Sequence, residues 1–273
     1  MRKIEVKKVD YIEIPRDAIV KKKVCGNVIE VFWQRRRGGN THTHRITKDM
    51  YFDDRTGEVF EYDHSSGRSD NLYTLFKSFK RGRDVINSNC TDPSKIRFIT
   101  LTYRDNMRDT KKLYFDFLNF NKRLKSKIGV YEYIVAVEPQ ERGAWHLHVI
   151  LIFESVPYLP VELLQSAWGH GFVKIEKIDR VDNVGAYLTS YLTNMDGKKY
   201  ARLSLYPPKF RPIRWSKGIH MPVVETVRYG QILREYEGLT PTYKKSLSLV
   251  DEDSDWKNEL SYLYYNTNRS DCQ

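Results

Sequence analysis

The chain has 273 residues, of which 40% are hydrophobic, so it is long enough to bury one core and a smaller accessory unit. A formal net charge of +11 and a pI near 9.4 favour a polyanionic partner, above all nucleic acid, although an unpartnered lysine-rich surface would have the same composition. Three scattered cysteines, Cys25, Cys90 and Cys272, fit neither a disulfide framework nor a zinc ribbon, and no apolar run suits a membrane span or a secretory signal. We therefore expect a protein of the reducing cytosol.

The charge is unevenly distributed along the chain. Residues 201–220 carry five basic and no acidic side chains, whereas residues 221–273 carry six basic and nine acidic ones, so phosphate contacts are expected before residue 220. The stretch KFRPIRWSK at 209–217 combines basic and aromatic residues, which suits phosphate pairing and base stacking, although a solvated linker is an equal alternative. The candidate DNA-binding residues are Lys209, Arg211, Arg214 and Lys217.

Three segments are distinguished by their patterns. Residues 1–70 lack a sustained period and contain the polar stretches RRRGGNTHTHR and DHSSGRSD, so a β-rich or loop-rich N-terminal extension is expected. The histidines His42 and His44 lie there among polar neighbours, which favours a loop. Residues 71–200 show regular alternation and indicate one domain. Residues 201–273 are interpreted as a basic segment followed by a C-terminal extension that is helical in part.

The central domain alternates strands and helices. Strands are predicted at 98–103, 131–138, 145–153 and 172–178, and helices at 113–128, 160–168 and 184–195, the last capped by Asp182. The connection PQERGA contains Pro139 and Gly143 and is short, so the strands on either side should form an antiparallel hairpin. The order β-α-β-β-α-β-α predicts an α+β fold, a ferredoxin-like split β-α-β sandwich with an antiparallel sheet and an added helix.

Two histidines, His146 and His148, lie two apart in the apolar strand WHLHVIL, so both side chains point to one face of the sheet. An isolated pair of this kind is more often hydrogen-bonded and half-exposed than metal-binding. If the hairpin places Glu138 opposite His146, however, all three share a face, and two imidazoles with one carboxylate form a divalent-metal site. Mn²⁺ or Mg²⁺ suits these donors in a phosphodiester enzyme, and Zn²⁺ is an alternative. Gln140 and Glu141 compete as the third ligand.

Tyr187 and Tyr191 in YLTSYLTN are four residues apart and therefore neighbours on one face of the last predicted helix. With 19 tyrosines in the chain, such a pair is usually packing. Here, however, the apolar stripe of the helix already supplies a packing face, which leaves both hydroxyl groups at its edge. A phosphodiester is anionic and resists attack, so a cation and a positioned nucleophile would act together. Both tyrosines are therefore candidate catalytic residues.

In these motifs the chain resembles the HUH endonucleases, and within them the rolling-circle replication initiators of small phages and plasmids. The resemblance covers roughly residues 96–195 and rests on FITLTY, WHLHVIL, WGHGFVKI and YLTSYLTN in that order. It implies a metal held on the sheet by His146, His148 and the acidic residue that commonly precedes them, here Glu138. It also implies a location in the cytoplasm of a bacterial host.

The resemblance further implies a reaction and its partners. A tyrosine of the last helix would nick one strand at an origin, stay joined to the 5′ phosphate, leave a 3′ hydroxyl for a polymerase and later rejoin the strand. Two tyrosines separated by three residues resemble the variant that alternates nucleophiles. The implied partners are single-stranded or origin DNA and a host helicase and polymerase. The chain has no GxxxxGK[ST] loop, so an attached helicase is not expected.

The chain departs from the family on the tyrosine helix. The family often carries lysine three residues after each tyrosine, where this chain has Ser190 and Asn194. The phosphate contacts of that helix are therefore expected elsewhere, at Lys198, at Lys199 or in the KFRPIRWSK stretch.

Other functions fit parts of the sequence. A non-catalytic module that binds single-stranded nucleic acid on a ferredoxin-like sheet would share the charge and the aromatic content, but has no use for two histidines and a glutamate on one face. A single-strand transposase of the same superfamily would share the motifs. A conjugative relaxase usually carries its tyrosine before the histidine strand, whereas here the tyrosines follow it.

Overall fold

The structure, a computed structural model, describes residues 4–36, 43–53, 57–62, 72–140, 142–178, 183–186, 205–207, 210–251 and 257–269. Within these ranges, no helix is long and apolar enough to cross a membrane. The chain packs as two compact units, one of Met1–Val24, Val28–Ser65 and Val223–Gln273 and the other of Cys25–Asn27 and Ser66–Pro222. These units are defined by packing and not by independent folding, so the division predicted at residues 70 and 200 stays a prediction.

The elements, in chain order, are β1 (Ile4–Val9), β2 (Ile19–Cys25), β3 (Val28–Gln34), β4 (Thr43–Arg45), β5 (Met50–Asp53), β6 (Glu58–Glu61), α1 (Leu72–Asn89), β7 (Ile96–Tyr103), α2 (Thr110–Ile128), β8 (Glu132–Pro139), β9 (Trp145–Ile152), α3 (Val161–Trp168), β10 (Gly171–Glu176), β11 (Ile213–Trp215), β12 (Val223–Arg228), α4 (Tyr229–Glu235), β13 (Tyr243–Asp251) and β14 (Lys257–Asn266).

The first unit contains a six-stranded sheet in the order β1-β13-β14-β3-β2-β12 and a small sheet in the order β4-β5-β6. Its core includes Val31, Trp33 and Leu263 from the strands and Ile232 from α4. The β-rich alternative predicted for the N-terminal segment is confirmed. The loop predicted around His44 is wrong, since Thr43–Arg45 is a strand, whereas His42 lies outside the described residues. The C-terminal segment is helical only at α4 among its described residues and otherwise contributes strands.

The second unit contains a five-stranded antiparallel sheet in the order β10-β7-β9-β8-β11. The segment from β7 to β10 has the order β-α-β-β-α-β, and its four strands lie in the spatial order fourth, first, third, second. This arrangement confirms the predicted α+β, ferredoxin-like split β-α-β sandwich. Each predicted strand is observed within two residues of its expected bounds.

The two faces of this sheet have different coverings. Leu147 and Val149 are fully buried on the face against which α2 and α3 pack, with Phe120 of α2 and Trp168 of α3 in the same core. Helix α2 begins where Asp109 accepts hydrogen bonds from the amides of Lys111 and Lys112. On the opposite face His146 and His148 are only partly buried, because side chains alternate along a strand.

Helix α1 lies against the second face at the β11 edge. A Cβ atom on Gly82 would come within 2.1 Å of the Ile213 side chain, so only glycine permits this approach. Ile213 is buried and pairs with Ala136 of β8. The alternative of a solvated linker is therefore wrong for the described residues of the 209–217 stretch, since its centre is an edge strand of the sheet.

Candidate metal centre

Glu138 of β8 lies directly opposite His146 of β9 in the antiparallel ladder, as the hairpin predicts. On the other side of β9, Thr102 of β7 is opposite His146, and Thr100 is opposite His148. Residues opposite one another in an antiparallel pair project to the same face. The ladder thus gathers one carboxylate, two imidazoles and two hydroxyl groups on the face that α2 and α3 leave open.

The three predicted ligands converge. One ligand atom from each of Glu138, His146 and His148 lies within 4.8 Å of the others. The shortest contact is 2.8 Å, between His148 Nε2 and Glu138 Oε2, and these two side chains are 11% and 18% exposed. The cluster is therefore close enough to share one cation and accessible enough to be reached from solvent. Two imidazoles and one carboxylate are donors suited to a divalent transition metal.

Two threonines orient the histidines. Thr100 Oγ1 lies 3.3 Å from His148 Nδ1, and Thr102 Oγ1 lies 3.2 Å from His146 Nε2. The Phe98 ring stacks on the His148 ring at 5.7 Å between centroids and 8° between planes. Our sequence interpretation missed these contacts, although the alternation in FITLTY places both hydroxyl groups on one face. Such contacts hold ligand rings in one orientation before a cation binds.

Burial lowers the pKa of His146 to about 4, and the neighbouring His148 lowers it further, against the opposing effect of Glu138. Its imidazole is therefore neutral at neutral pH. The neutral ring is the form that offers a lone pair to a cation.

The β8–β9 hairpin is fixed beside the cluster by Arg142. Its guanidinium donates to the carbonyl oxygens of Tyr103 at 2.6 Å and Arg104 at 3.1 Å, and its Nε donates to Gln140 Oε1 at 3.1 Å. The side chain of Gln140 is thus held in the turn, whereas Glu138 contacts His148. Of the two competing ligands, Gln140 does not join the cluster, and Glu141 lies outside the described residues.

A buried tyrosine that the sequence did not single out lies next to Glu138. Tyr206 donates from its hydroxyl to the carbonyl oxygen of Val137 at 2.7 Å, and its ring packs 5.8 Å from that of Trp145. Burial raises its pKa well above the ordinary value, with the Glu138 charge adding to the shift. Its hydroxyl is therefore a permanent donor that holds the strand carrying Glu138. No local pattern marks this residue.

The candidate nucleophiles Tyr187 and Tyr191 lie outside the described residues, but the start of their segment is described. The amide of Gly185 donates to Asn87 Oδ1 of α1 at 2.7 Å, and Val184 is buried in the core of this unit. Asn183 Oδ1 accepts from the amide of Ala186 at 2.8 Å and so caps this turn. The predicted cap, Asp182, lies outside the described residues.

The candidate DNA-binding residues meet α1 at the sheet edge, apart from Lys209, which lies outside the described residues. Arg211, Arg214 and Lys217 are exposed. The Arg214 guanidinium carbon lies 3.4 Å from the ring centroid of Tyr114. A pocket of about 610 Å³ is lined by Ser78, Arg81, Arg211, Pro212, Ile213, Arg214 and Trp215.

Fold and site together define a candidate metalloprotein with a histidine–carboxylate cluster on an open sheet face and an arginine-rich edge. Residues 96–196 match a family model of replication-associated proteins, the ORF2 type. The match begins at β7 and includes all three cluster residues. No curated protein and no solved structure matches the chain. Over this segment the chain is thus similar to replication-associated proteins, and the similarity indicates a replication initiator that binds DNA.

Proposed function

We propose that the protein is a metal-dependent HUH endonuclease that initiates rolling-circle replication by nicking one DNA strand at an origin. The observation that carries the proposal is the convergence of Glu138, His146 and His148 on the open sheet face. This cluster lies within the segment that is similar to replication-associated proteins. A module that only bound nucleic acid would not need these three side chains in contact.

Glu138, His146 and His148 fit a divalent cation because their donor atoms already lie within 4.8 Å of one another. When bound, Mn²⁺ or Mg²⁺, or alternatively Zn²⁺, would neutralise charge on the non-bridging phosphate oxygens during attack. The threonines opposite the histidines hold both rings in place. The protein therefore supplies a preorganised anion site, which lowers the reorganisation that the reaction requires.

The reaction that we propose is an exchange of phosphate esters. The hydroxyl oxygen of Tyr187 bonds to phosphorus, the bond from phosphorus to the 3′ oxygen breaks, and the phenolic proton is replaced on the 3′ oxygen through solvent. The products are a 5′-phosphotyrosine and a free 3′ hydroxyl for a polymerase. The reverse attack by a 3′ hydroxyl rejoins the strand. Tyr191 is proposed to perform the second transfer, which releases the displaced strand.

The position of the chain just before the tyrosine motif supports this assignment. Gly185 packs so tightly that an added Cβ would lie 2.4 Å from the carbonyl oxygen of Arg83 in α1. Helix α1 in turn packs on the sheet face that carries the cluster, through Gly82 and Ile213. The motif therefore begins from an anchored point in the same unit. Lys209, Arg211, Arg214 and Lys217 are proposed to contact the DNA backbone, and a host helicase and polymerase to complete replication.

Cleavage of labelled single-stranded origin DNA in the presence of Mn²⁺ tests the proposal. His146→Ala and His148→Ala should abolish nicking, and Glu138→Ala should weaken it severely, because each removes a ligand. Glu162→Gln, on the exposed start of α3, is the matched control and should cut at the parental rate. Nicking at full rate in excess chelator would contradict the metal-dependent mechanism.

A further inference from the structure

The pocket between α1 and β11 combines positive charge with an aromatic surface. Its seven described lining residues include three arginines, one tryptophan and no acidic residue. Its volume of about 610 Å³ is in the range of pockets that hold small organic ligands. Arg81 comes from α1, far from the basic stretch in sequence, so the fold adds a charge that the stretch alone does not contain.

Arg81 and Trp215 form a joint surface. The Arg81 guanidinium carbon lies 5.5 Å from the ring centroid of Trp215, and the indole is only partly buried. A phosphate held by Arg81 would therefore place its attached base within reach of the indole. Aromatic rings stack on unpaired bases of any sequence, whereas paired bases have no free face.

The rest of the pocket is held rigid by contacts with α2. The Tyr114 hydroxyl donates to the carbonyl oxygen of Arg211 at 2.9 Å, and the Tyr114 ring packs 5.7 Å from that of Phe210. Burial raises the pKa of Tyr114 to about 12, against the lowering effect of Arg214, so the donor persists at neutral pH. A preformed pocket loses less conformational entropy when a ligand binds.

The pocket and the cluster share one face of the sheet. Trp215 pairs with Ile134, which lies four residues before Glu138 on β8. From the strand rise and the strand spacing, the Cα atoms of Trp215 and Glu138 are roughly 14 Å apart. A single strand that crossed the cluster would reach the pocket within a few nucleotides.

We propose that this pocket binds an unpaired nucleotide of the DNA strand that flanks the cut site, with its phosphate on Arg81 and Arg211 and its base on Trp215. Arg214, braced on Tyr114, supplies further positive charge at the pocket. The inference rests on the proposed nuclease function, and it assigns to this edge the recognition of single-stranded DNA rather than of a duplex backbone.

Binding without cleavage tests the pocket separately from the nuclease. Fluorescence anisotropy of a labelled mixed-sequence single-stranded DNA oligonucleotide is measured in excess chelator over a series of salt concentrations. Arg81→Gln should weaken binding about fivefold or more and reduce the salt slope by about 0.7, the value for one lost phosphate contact. Arg97→Gln, at the far end of β7, makes the same charge change outside the pocket and should bind like the parent protein.

Variants at Trp215 separate stacking from charge. Trp215→Leu should weaken single-strand binding at least about fivefold, whereas Trp215→Phe retains a ring and should stay near the parental affinity. Affinity for a fully paired duplex should respond to Arg81→Gln but not to Trp215→Leu. Since Trp215 packs partly against the core, the thermal unfolding of each variant is compared with that of the parent, and Arg81→Gln at an exposed position serves as the independent test.

Parental single-strand affinity and salt slope in Arg81→Gln, or a folded Trp215→Leu with parental affinity, would overturn the pocket proposal. Tighter Trp215-dependent binding of a matched RNA than of DNA would overturn its assignment to DNA. Failure of the nuclease has a different signature, because intact pocket-dependent binding would then accompany absent cleavage in Mn²⁺.

Discussion

The Glu138 carboxylate lies 2.8 Å from His148 Nε2, although Glu138 is paired in the sheet with His146 and not with His148. The contact is therefore diagonal across the β8–β9 pair, and it requires both side chains to project to one face. Here a carboxylate and an imidazole satisfy each other, and the same two atoms are poised to accept a cation between them.

The first prediction concerns this diagonal pair. Glu138→Gln keeps the shape and the oxygen acceptor but removes the negative charge, so Mn²⁺ affinity measured by titration calorimetry should fall at least about tenfold. His148→Asn should have a similar effect. Glu162→Gln should bind Mn²⁺ like the parent protein. Parental affinity in both cluster variants would mean that the cation is held elsewhere.

A second prediction concerns the threonines opposite the histidines. Thr100→Val and Thr102→Val are nearly isosteric and remove the hydroxyl groups at 3.3 Å and 3.2 Å from the two rings. Each should lower metal affinity by about tenfold to a hundredfold, because an unsupported ring samples unproductive orientations. Chemical denaturation should show folded proteins of near-parental stability. Unchanged metal affinity would make these contacts irrelevant to binding.

Much of the ferredoxin-like sheet could be predicted from the sequence, because the information is local. The alternation in WHLHVIL and the short turn near Gly143 are sufficient to predict that Glu138 and His146 share a face. The strands β13 and β14 were missed because their partners β1 and β3 are more than 200 residues away in the chain. The contribution of Arg81 to the pocket was missed for the same reason, since it depends on how α1 packs on β11.

A third prediction tests the anchor of the tyrosine segment. Asn87→Ala removes the acceptor for the buried Gly185 amide, which should lower the free energy of unfolding by about 1–3 kcal/mol. It should also reduce cleavage more than metal binding, because the anchor precedes the nucleophiles and not the ligands. Ser88→Ala, at the next position of α1, is the control and should change cleavage little. Equal cleavage by both variants would show that the anchor does not serve the reaction.

A fourth prediction follows from the lowered pKa of His146. Because the folded pKa is about 4 and the ordinary value is 6.5, the unfolded chain binds this proton more readily between those values. The stability of the metal-free protein should therefore decrease as pH falls from about 6.5 towards 4, and this component should be absent above that range. Urea denaturation in chelator should show a smaller decrease for His146→Asn than for the parent protein or His220→Asn. An identical pH dependence in all three proteins would contradict the shift.

The identity of the nucleophile is the central claim, and a covalent adduct tests it most directly. The parent protein is incubated with labelled single-stranded origin DNA and Mn²⁺, denatured, and analysed by mass spectrometry to locate the linkage. We expect a 5′-phosphotyrosine at Tyr187 or Tyr191, and no adduct in the double variant Tyr187→Phe, Tyr191→Phe, which retains both rings and should still bind DNA. An undiminished adduct in the double variant, or none in the parent protein, would contradict the account.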